Sequence, residues 1–239
     1  MEKIDRGLLF EQAKMQGVIL DDHMIDDFEL AANMLIEWNH KINLTSITDL
    51  QDIVIKHFAD SLTIASLLPK TRFSLIDVGT GAGFPGVPLA IVRKDIKLTL
   101  LDSLNKRVVF LKTLCNKLGI QADIVHGRAE LVGRNEKMRE MFDVATARAV
   151  ASLPILCEYC LPLVKLGGRF IAMKGPSGEM EVESAQNAAS VLGAKHSFTE
   201  HRNIGTQSDI CRALLVYDKI KQTPPQYPRM FSKIKKQPL

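Results

Sequence analysis

The sequence predicts an α/β fold: a mostly parallel seven-stranded sheet covered by helices, a small N-terminal helical region before it, and a C-terminal antiparallel hairpin at its edge. Three features predict it. Short apolar runs of strand length recur from Ser74 to Gly175. Helical segments separate them, the alternation that makes a parallel sheet covered on both faces. Two further runs, Lys195–His201 and Cys211–Lys219, are joined by a short polar connection and pair as neighbours.

Each element follows in order. Asp21–Asn39 places Met24, Ile25, Phe28, Ala31, Leu35 and Ile36 on one stripe at helical spacing. The segment NLTSITD, Asn43–Asp49, breaks that pattern. Leu50–Leu68 is a second helical stretch, with Ile53, Val54, Phe58, Leu62 and Ala65 inward, and Pro69 ends it. The strands are then Ser74–Gly79, Lys97–Asp102, Ala122–Gly127, Phe142–Ala149 and Gly168–Gly175. The clearest helix between them is Ser103–Leu118, with Ser103 expected as its cap and Gly119 closing it. A helix over Met180–Leu192 separates the fifth strand from the hairpin. The chain divides into an N-terminal helical region, 1–70, an α/β domain, 71–220, and a basic C-terminal tail, 221–239.

Bulk composition narrows the function classes. Of 239 residues, 46% are hydrophobic and 24% charged, as in a chain with a packed core. No apolar run reaches the ~18 residues of a membrane span, so no membrane partner is expected. The first residues, MEKIDRGLLFEQAK, lack the apolar stretch of a secretory signal. Cys115, Cys157, Cys160 and Cys211 show no disulfide framework, which fits a cytoplasmic location. Cys157 and Cys160 have CxxC spacing but no second pair, so buried thiols are expected and no metal. Trp38 is read as a core residue. Net charge is +4, yet the stretch from Lys219 onward carries six basic residues and no acid, leaving the rest near −2. That stretch is either a solvated tail or a holder of phosphates.

The chemistry concentrates in DVGTGAGFPG, Asp77–Gly86, directly after the first strand. In a doubly wound sheet, ligands bind outside the carboxyl ends of the strands, and glycines there allow a tight turn and close backbone approach. Gly79, Gly81 and Gly83 are the candidates. Asp102 ends the next strand, where a carboxylate can accept ribose hydroxyls. Loop and acid together indicate an adenosine-containing cofactor. Pro85 and Pro88 disturb the helix start whose N–H groups would hold a pyrophosphate. S-adenosylmethionine carries no phosphate and does not need that row of donors, so it is the expected cofactor. Asp77 precedes the first glycine, where its carboxylate could face the ligand's ammonium.

The combination of NLTSIT (Asn43–Thr48), KHFADSL (Lys56–Leu62), DVGTGAGFPG, LLDSLNKRVVFL (Leu100–Leu111), HGRAE (His126–Glu130), DVATARAVA (Asp143–Ala151) and AMKG (Ala172–Gly175) resembles the glucose-inhibited division protein B family, bacterial 16S rRNA guanine-N7 methyltransferases. The resemblance runs from about Trp38 to the tail. It implies a Rossmann-like, S-adenosylmethionine-dependent methyltransferase fold. It implies a cofactor pocket built from Gly79, Phe84, Ala129, Glu130 and Arg148 beside Asp102. It implies as substrate a guanine in the decoding-region loop of 16S rRNA, with rRNA or a small-subunit precursor as partner. It also raises Asn43 and His57 as parts of the active-site rim, although a helical histidine and a helix-capping asparagine have ordinary structural uses.

Guanine N7 carries an in-plane lone pair and no proton, so methyl transfer needs orientation rather than a general base. Cationic donors suit O6 on the same edge. Arg148 and Lys174, at the ends of the fourth and fifth strands, are therefore the expected substrate-orienting residues. Arg148 has two other readings: a bidentate grip on the methionine carboxylate, or an ion pair with Asp77 or Asp143. Lys106 and Arg107 open the helix after Asp102 and are candidate phosphate contacts, as is Arg229 in the tail. A monomer is expected. The rival readings are a methyltransferase of another RNA or a small molecule, an NAD-binding oxidoreductase, and a non-catalytic RNA-binding protein; affinity for S-adenosylmethionine against NAD separates these classes.

Overall fold

The computed structural model describes residues 3–206 and 209–239. Two helices come first, α1 (Arg6–Met15) and α2 (Asp22–Ile42), each started by an aspartate whose side chain accepts a first-turn N–H: Asp5 from Leu8, Asp21 from Met24. Asn43 closes α2 in the left-handed region, with φ of 49°, a conformation asparagine tolerates better than most residues. Asp49 caps the next helical run. That run is not one uniform helix. It comprises α3 (Leu50–Ile53), a π-helical stretch Val54–Ala59, and α4 (Asp60–Leu62), followed by a single 3₁₀ turn at Ala65–Leu67. Ile53, Val54, His57, Phe58, Ala59, Asp60, Ser61 and Leu62 are all buried, so this segment hides polar and apolar sides alike.

The sheet comprises β1 (Phe73–Val78), β2 (Ile96–Asp102), β3 (Ala122–His126), β4 (Phe142–Arg148), β5 (Val164–Lys174), β6 (Ala194–Ile204) and β7 (Ile210–Lys219). Their order is β3-β2-β1-β4-β5-β7-β6, so the sheet has seven strands. The first five pair parallel; β7 runs antiparallel between β5 and β6, forming a hairpin with β6. Strand order reverses at the β1/β4 boundary, which opens a crevice at the carboxyl ends. The helices α5 (Gly86–Val92), α6 (Asn105–Lys117), α7 (Ala129–Val132), α8 (Leu153–Cys160) and α9 (Gln186–Val191) connect the strands.

The alternation of strand side chains divides the interior into two layers. Leu75, Val144, Ile171 and Val216 join Phe28, Phe58, Leu89 and Phe110 on one face. Ile76, Ala145, Phe170 and Tyr217 join Leu156, Cys160 and Ala188 on the other. The N-terminal helices belong to the first layer: Phe28 meets Phe58 at 4.9 Å between ring centroids, and Trp38 meets Phe110 at 5.6 Å. Cys157 and Cys160 are fully buried free thiols, and burial pushes both well up.

Several local expectations change. Ser103 does not cap α6; the N-cap is Leu104, and Asp102 instead accepts the Leu104 N–H at 2.9 Å. Gly119 follows α6 with φ of 63°, as a C-terminal glycine should. The helix expected over Met180–Leu192 shrinks to a 3₁₀ turn, Pro176–Glu181, and the short α9. Lys219 does not begin a solvated tail. It is buried at the end of β7, where its ammonium donates to the Leu161 and Leu192 carbonyls at 2.9 and 3.0 Å and to the Thr223 hydroxyl, and faces Glu140 at 3.2 Å. Burial lowers its pKa to about 8 despite Glu140. The tail ends in a further helix, α10 (Phe231–Lys236), packed against α8 with Ile234 fully buried.

Candidate active site

The turn after β1 is shaped by glycine. Gly79 has φ of 72°, and a Cβ there would lie 2.7 Å from a Val150 methyl. Both conditions exclude larger residues. The turn is also pinned by carboxylates. Asp77 Oδ2 accepts the Thr80 hydroxyl at 2.6 Å and the Gly86 N–H at 2.8 Å. Asp77 is fully buried and does not line the crevice, so it holds the loop from behind rather than facing a ligand. Burial raises its pKa to about 6, against the bonds from Thr80 and Gly86. Asp102 Oδ2 accepts the Gly81 N–H at 2.9 Å, and Arg107 approaches the same oxygen at 3.3 Å.

Two cavities meet at the carboxyl ends of the strands. One, of 420 Å³, is lined by Gly79, Asp102, Ala129, Glu130, Val150 and Tyr159, among others. Glu130 is only 3% exposed, a buried carboxylate in the first turn of α7. The other, of 590 Å³, is lined by Ile47, His57, Asp60, Arg148, Lys174 and Arg212, among others. The segment Ala149–Ala151 contributes to both. Ala149 turns there with φ of 56°, an uncommon conformation for a residue with a Cβ.

The second cavity is organised around one buried carboxylate. Asp60 Oδ2 accepts from Arg148 Nη1 and Asp60 Oδ1 from Arg212 Nε, each at 2.8 Å. Two guanidiniums share one carboxylate, which leaves net positive charge facing the cavity. Arg148 also lies over the Phe84 ring at 5.2 Å. Phe84 stacks on His57, with centroids 4.5 Å apart and planes 10° from parallel. Arg148 Nη2 faces His57 Nδ1 at 3.4 Å. A guanidinium has no acceptor, so Nδ1 is the bare nitrogen and Nε2–H donates to Thr45 Oγ1 at 2.9 Å. Burial, then the charge of Arg148, depresses the His57 pKa to about 3, which keeps the ring neutral. Lys174 donates to the Ala151 carbonyl at 3.0 Å and pairs with Glu181 at 2.8 Å.

Of the residues expected to hold a cofactor, Gly79, Asp102, Ala129 and Glu130 come together in the first cavity. Gly81 supports Asp102, while Gly83 packs against Val87 and Leu111. Phe84 and Arg148 belong to the second cavity's side, with His57 and Lys174. Arg148 pairs with neither Asp77 nor Asp143 but with Asp60. Asn43 is exposed at the end of α2, and Lys106 is exposed on α6. Arg107 is half-committed to Asp102. Arg229, expected as a phosphate contact on a free tail, is locked to the fully buried Glu158 at 2.6 Å. Sequence reading missed Asp60 and Arg212. Asp60 lay in the KHFADSL segment, but nothing local marks a carboxylate whose partners are 88 and 152 residues away.

A larger cavity, of 1120 Å³, lies at the opposite end of β2 and β3. It is a groove among exposed side chains such as Lys97, Lys112, Gln121 and Asp123, with no buried polar group converging on it. Among the described residues, no cluster of histidine, cysteine and acidic side chains fits a metal ion, and no helix is long and apolar enough to cross a membrane.

Residues 24–211 match the family described as GidB, rRNA small subunit methyltransferase G. A ribosomal RNA small subunit methyltransferase G from Alkaliphilus metalliredigens is 50% identical, with 93% of this chain and 94% of that protein aligned. One from Acetivibrio thermocellus is 49% identical over 98% of this chain and 96% of the relative. Among solved structures, a methyltransferase from Pyrococcus furiosus superposes with a TM-score of 0.55 at 13% identity, covering 79% of this chain and 95% of that one. The [4+2]-cyclase SpnF superposes with a TM-score of 0.52 at 18% identity, covering 68% and 81%. These two likenesses concern the fold alone.

Proposed function

We propose a division of labour from one premise: the chain belongs to the GidB family, the rRNA small subunit methyltransferases G. It is an S-adenosylmethionine-dependent methyltransferase acting on guanine N7 of 16S rRNA. The target is a guanine in the decoding-region loop, presented by rRNA or a small-subunit precursor, and an rRNA substrate implies action in the cytoplasm. The observation that carries this reading is the pair of abutting cavities, one lined by backbone and buried acids, the other cationic.

The first cavity suits the methyl donor. Its 420 Å³ lies in the range of small-molecule sites. Asp102 retains acceptor capacity on Oδ1 for ribose, since the Leu104 N–H occupies one lone pair there. Ala129 and Glu130 lie where the adenine edge is read, and Gly79 lets the ligand approach the backbone. S-adenosylmethionine supplies a methyl group on a sulfonium, an electrophile that needs no metal.

The second cavity receives the base. Lys174 is held at its wall by Glu181 and the Ala151 carbonyl, which presents its ammonium to guanine O6 or a phosphate. Arg148 stands at the divide, fixed by Asp60 and Phe84, and serves both the methionine carboxylate and the O6 edge. Neutral His57 with a pKa near 3 is a feeble base, which matches a nucleophile with no proton to remove. The chain's contribution is orientation and charge. Asn43 and Lys106, both exposed, remain available to RNA at the rim. The three regions acquire distinct tasks: 1–70 walls the base cavity, 71–220 supplies the donor site, and 221–239 bears on the donor site from outside.

The test is to map N7-methylguanine in 16S rRNA from cells with and without the chain, and from cells carrying Lys174→Met. The modification is expected to require the chain and to fall steeply in the variant. An unchanged map without the chain overturns the assignment of substrate.

A further inference from the structure

Residues 221–239 lie beyond the residues matched to the family, yet they are tied to the body of the chain. Arg139 donates to the Tyr227 and Thr223 carbonyls, each at 2.7 Å, and Arg134 Nε to the Pro228 carbonyl at 2.7 Å. Arg229 then closes the pair with Glu158, whose side chain is fully buried. These bonds deliver α10 to the mouth of the first cavity. Phe231 and Lys235, one turn apart, line it together with Asp102, Ala129 and Glu130. The Arg128 guanidinium lies over the Phe231 ring at 4.8 Å and sets its position.

We propose that α10 completes the donor site as a clamp on the adenosine end, with Phe231 as an apolar wall for adenine and Lys235 as a polar contact beside it. The inference rests on reading that cavity as the donor site. It concerns the adenosine end because the residues shared with α10 are those assigned to ribose and adenine, whereas Arg148 and Lys174 belong to the neighbouring cavity. The tail is thus anchored by body arginines on its carbonyls and by its own Arg229 on Glu158, so that an aromatic ring meets the ligand.

Calorimetry of the full chain with S-adenosylhomocysteine and with adenosine tests this. Phe231 is 38% exposed, so Phe231→Ala is expected to fold. It should weaken both ligands about tenfold, the scale of losing one aromatic face against a base. Lys235→Ala should weaken them about threefold, and Phe231→Tyr should stay near parental. A chain ending at Met230 keeps the Arg229–Glu158 pair and should lose at least as much as Phe231→Ala, with its fold checked by circular dichroism. Parental affinity in Phe231→Ala, or a loss for S-adenosylhomocysteine without one for adenosine, overturns the clamp. If the parental chain itself binds neither ligand, the donor-site reading falls, and the clamp with it.

Discussion

The two cavities share the segment Ala149–Ala151 and are made in different ways. The cavity proposed for the donor is largely local: Asp77 pins Gly86 nine residues on, and Asp102 holds Gly81 across 21. It is built from backbone shape and from the acids Asp102 and Glu130. The base cavity is non-local: one carboxylate from the N-terminal region, Asp60, orients arginines from β4 and β7. It is built from side-chain charge, and its two arginines are held by one buried carboxylate. A binding site made of loops tolerates change in what surrounds it. A site made of shared ion pairs does not.

Acid should break the contrast most sharply, because it strikes the base cavity at His57. The folded chain resists protonating His57 until about pH 3, whereas an unfolded histidine titrates near 6.5. The stabilisation is fully present above 6.5 and is lost as pH falls toward 3, because only the unfolded chain takes up the proton. Relative to His57→Gln, the parental chain should therefore lose about 5 kcal/mol of stability across that window, read by denaturant midpoints. Asp77, raised to about 6, runs the other way: its contribution is lost as pH rises from about 4 to 6, so the comparison between variants isolates the histidine. A pH-independent difference would mean that His57 is not shielded.

Removing the shared carboxylate comes next. Asp60→Ala leaves two part-buried guanidiniums unpaired and should cost about 4 kcal/mol in chemical denaturation. Binding of adenosine, which lacks the methionine carboxylate that Arg148 serves, should suffer far less than binding of rRNA. Equal losses in the two would erase the distinction between cavities. Gly79→Val inverts the pattern. Its positive φ and the contact with Val150 should weaken S-adenosylhomocysteine about 100-fold, about 3 kcal/mol, in calorimetry. The smallest effect belongs to Arg107→Ala. Arg107 is part-exposed and only 3.3 Å from an Asp102 already held by Gly81 and Leu104, so less than about 1 kcal/mol of affinity should be lost.

Legibility in the sequence follows the same division. The strands, their parallel order and the edge hairpin were readable because apolar period and turn residues are local signals. Asp21 as a helix start and Gly119 as a helix end were readable for the same reason. The glycine turn at Gly79 and the acid Asp102 were readable because strand ends converge by topology, whereas Ala129 and Glu130 came only from the family resemblance. The π-helical stretch at Val54–Ala59 left no trace in the pattern, since its backbone choice depends on packing against the sheet. Asp60 and Arg212 were missed because pairing across 152 residues has no periodicity. Asp77 was misjudged because its position before the glycines says nothing about which way the side chain is buried.

By itself, the sequence determined the sheet, the glycine turn and the acid beyond the second strand, because hydrophobic spacing and the conformational freedom of glycine act within a few residues. Tertiary structure alone decided where the charges went. It buried Lys219 and tied Arg229 to the buried Glu158, where charge counting left a solvated tail or a holder of phosphates open, joined Arg148 and Arg212 through Asp60, and laid Phe231 against the cavity proposed for the donor. The physical reason is that a buried charge is tolerable only beside its opposite or a set of carbonyls, and which partner stands there is known only once the distant parts of the chain have packed.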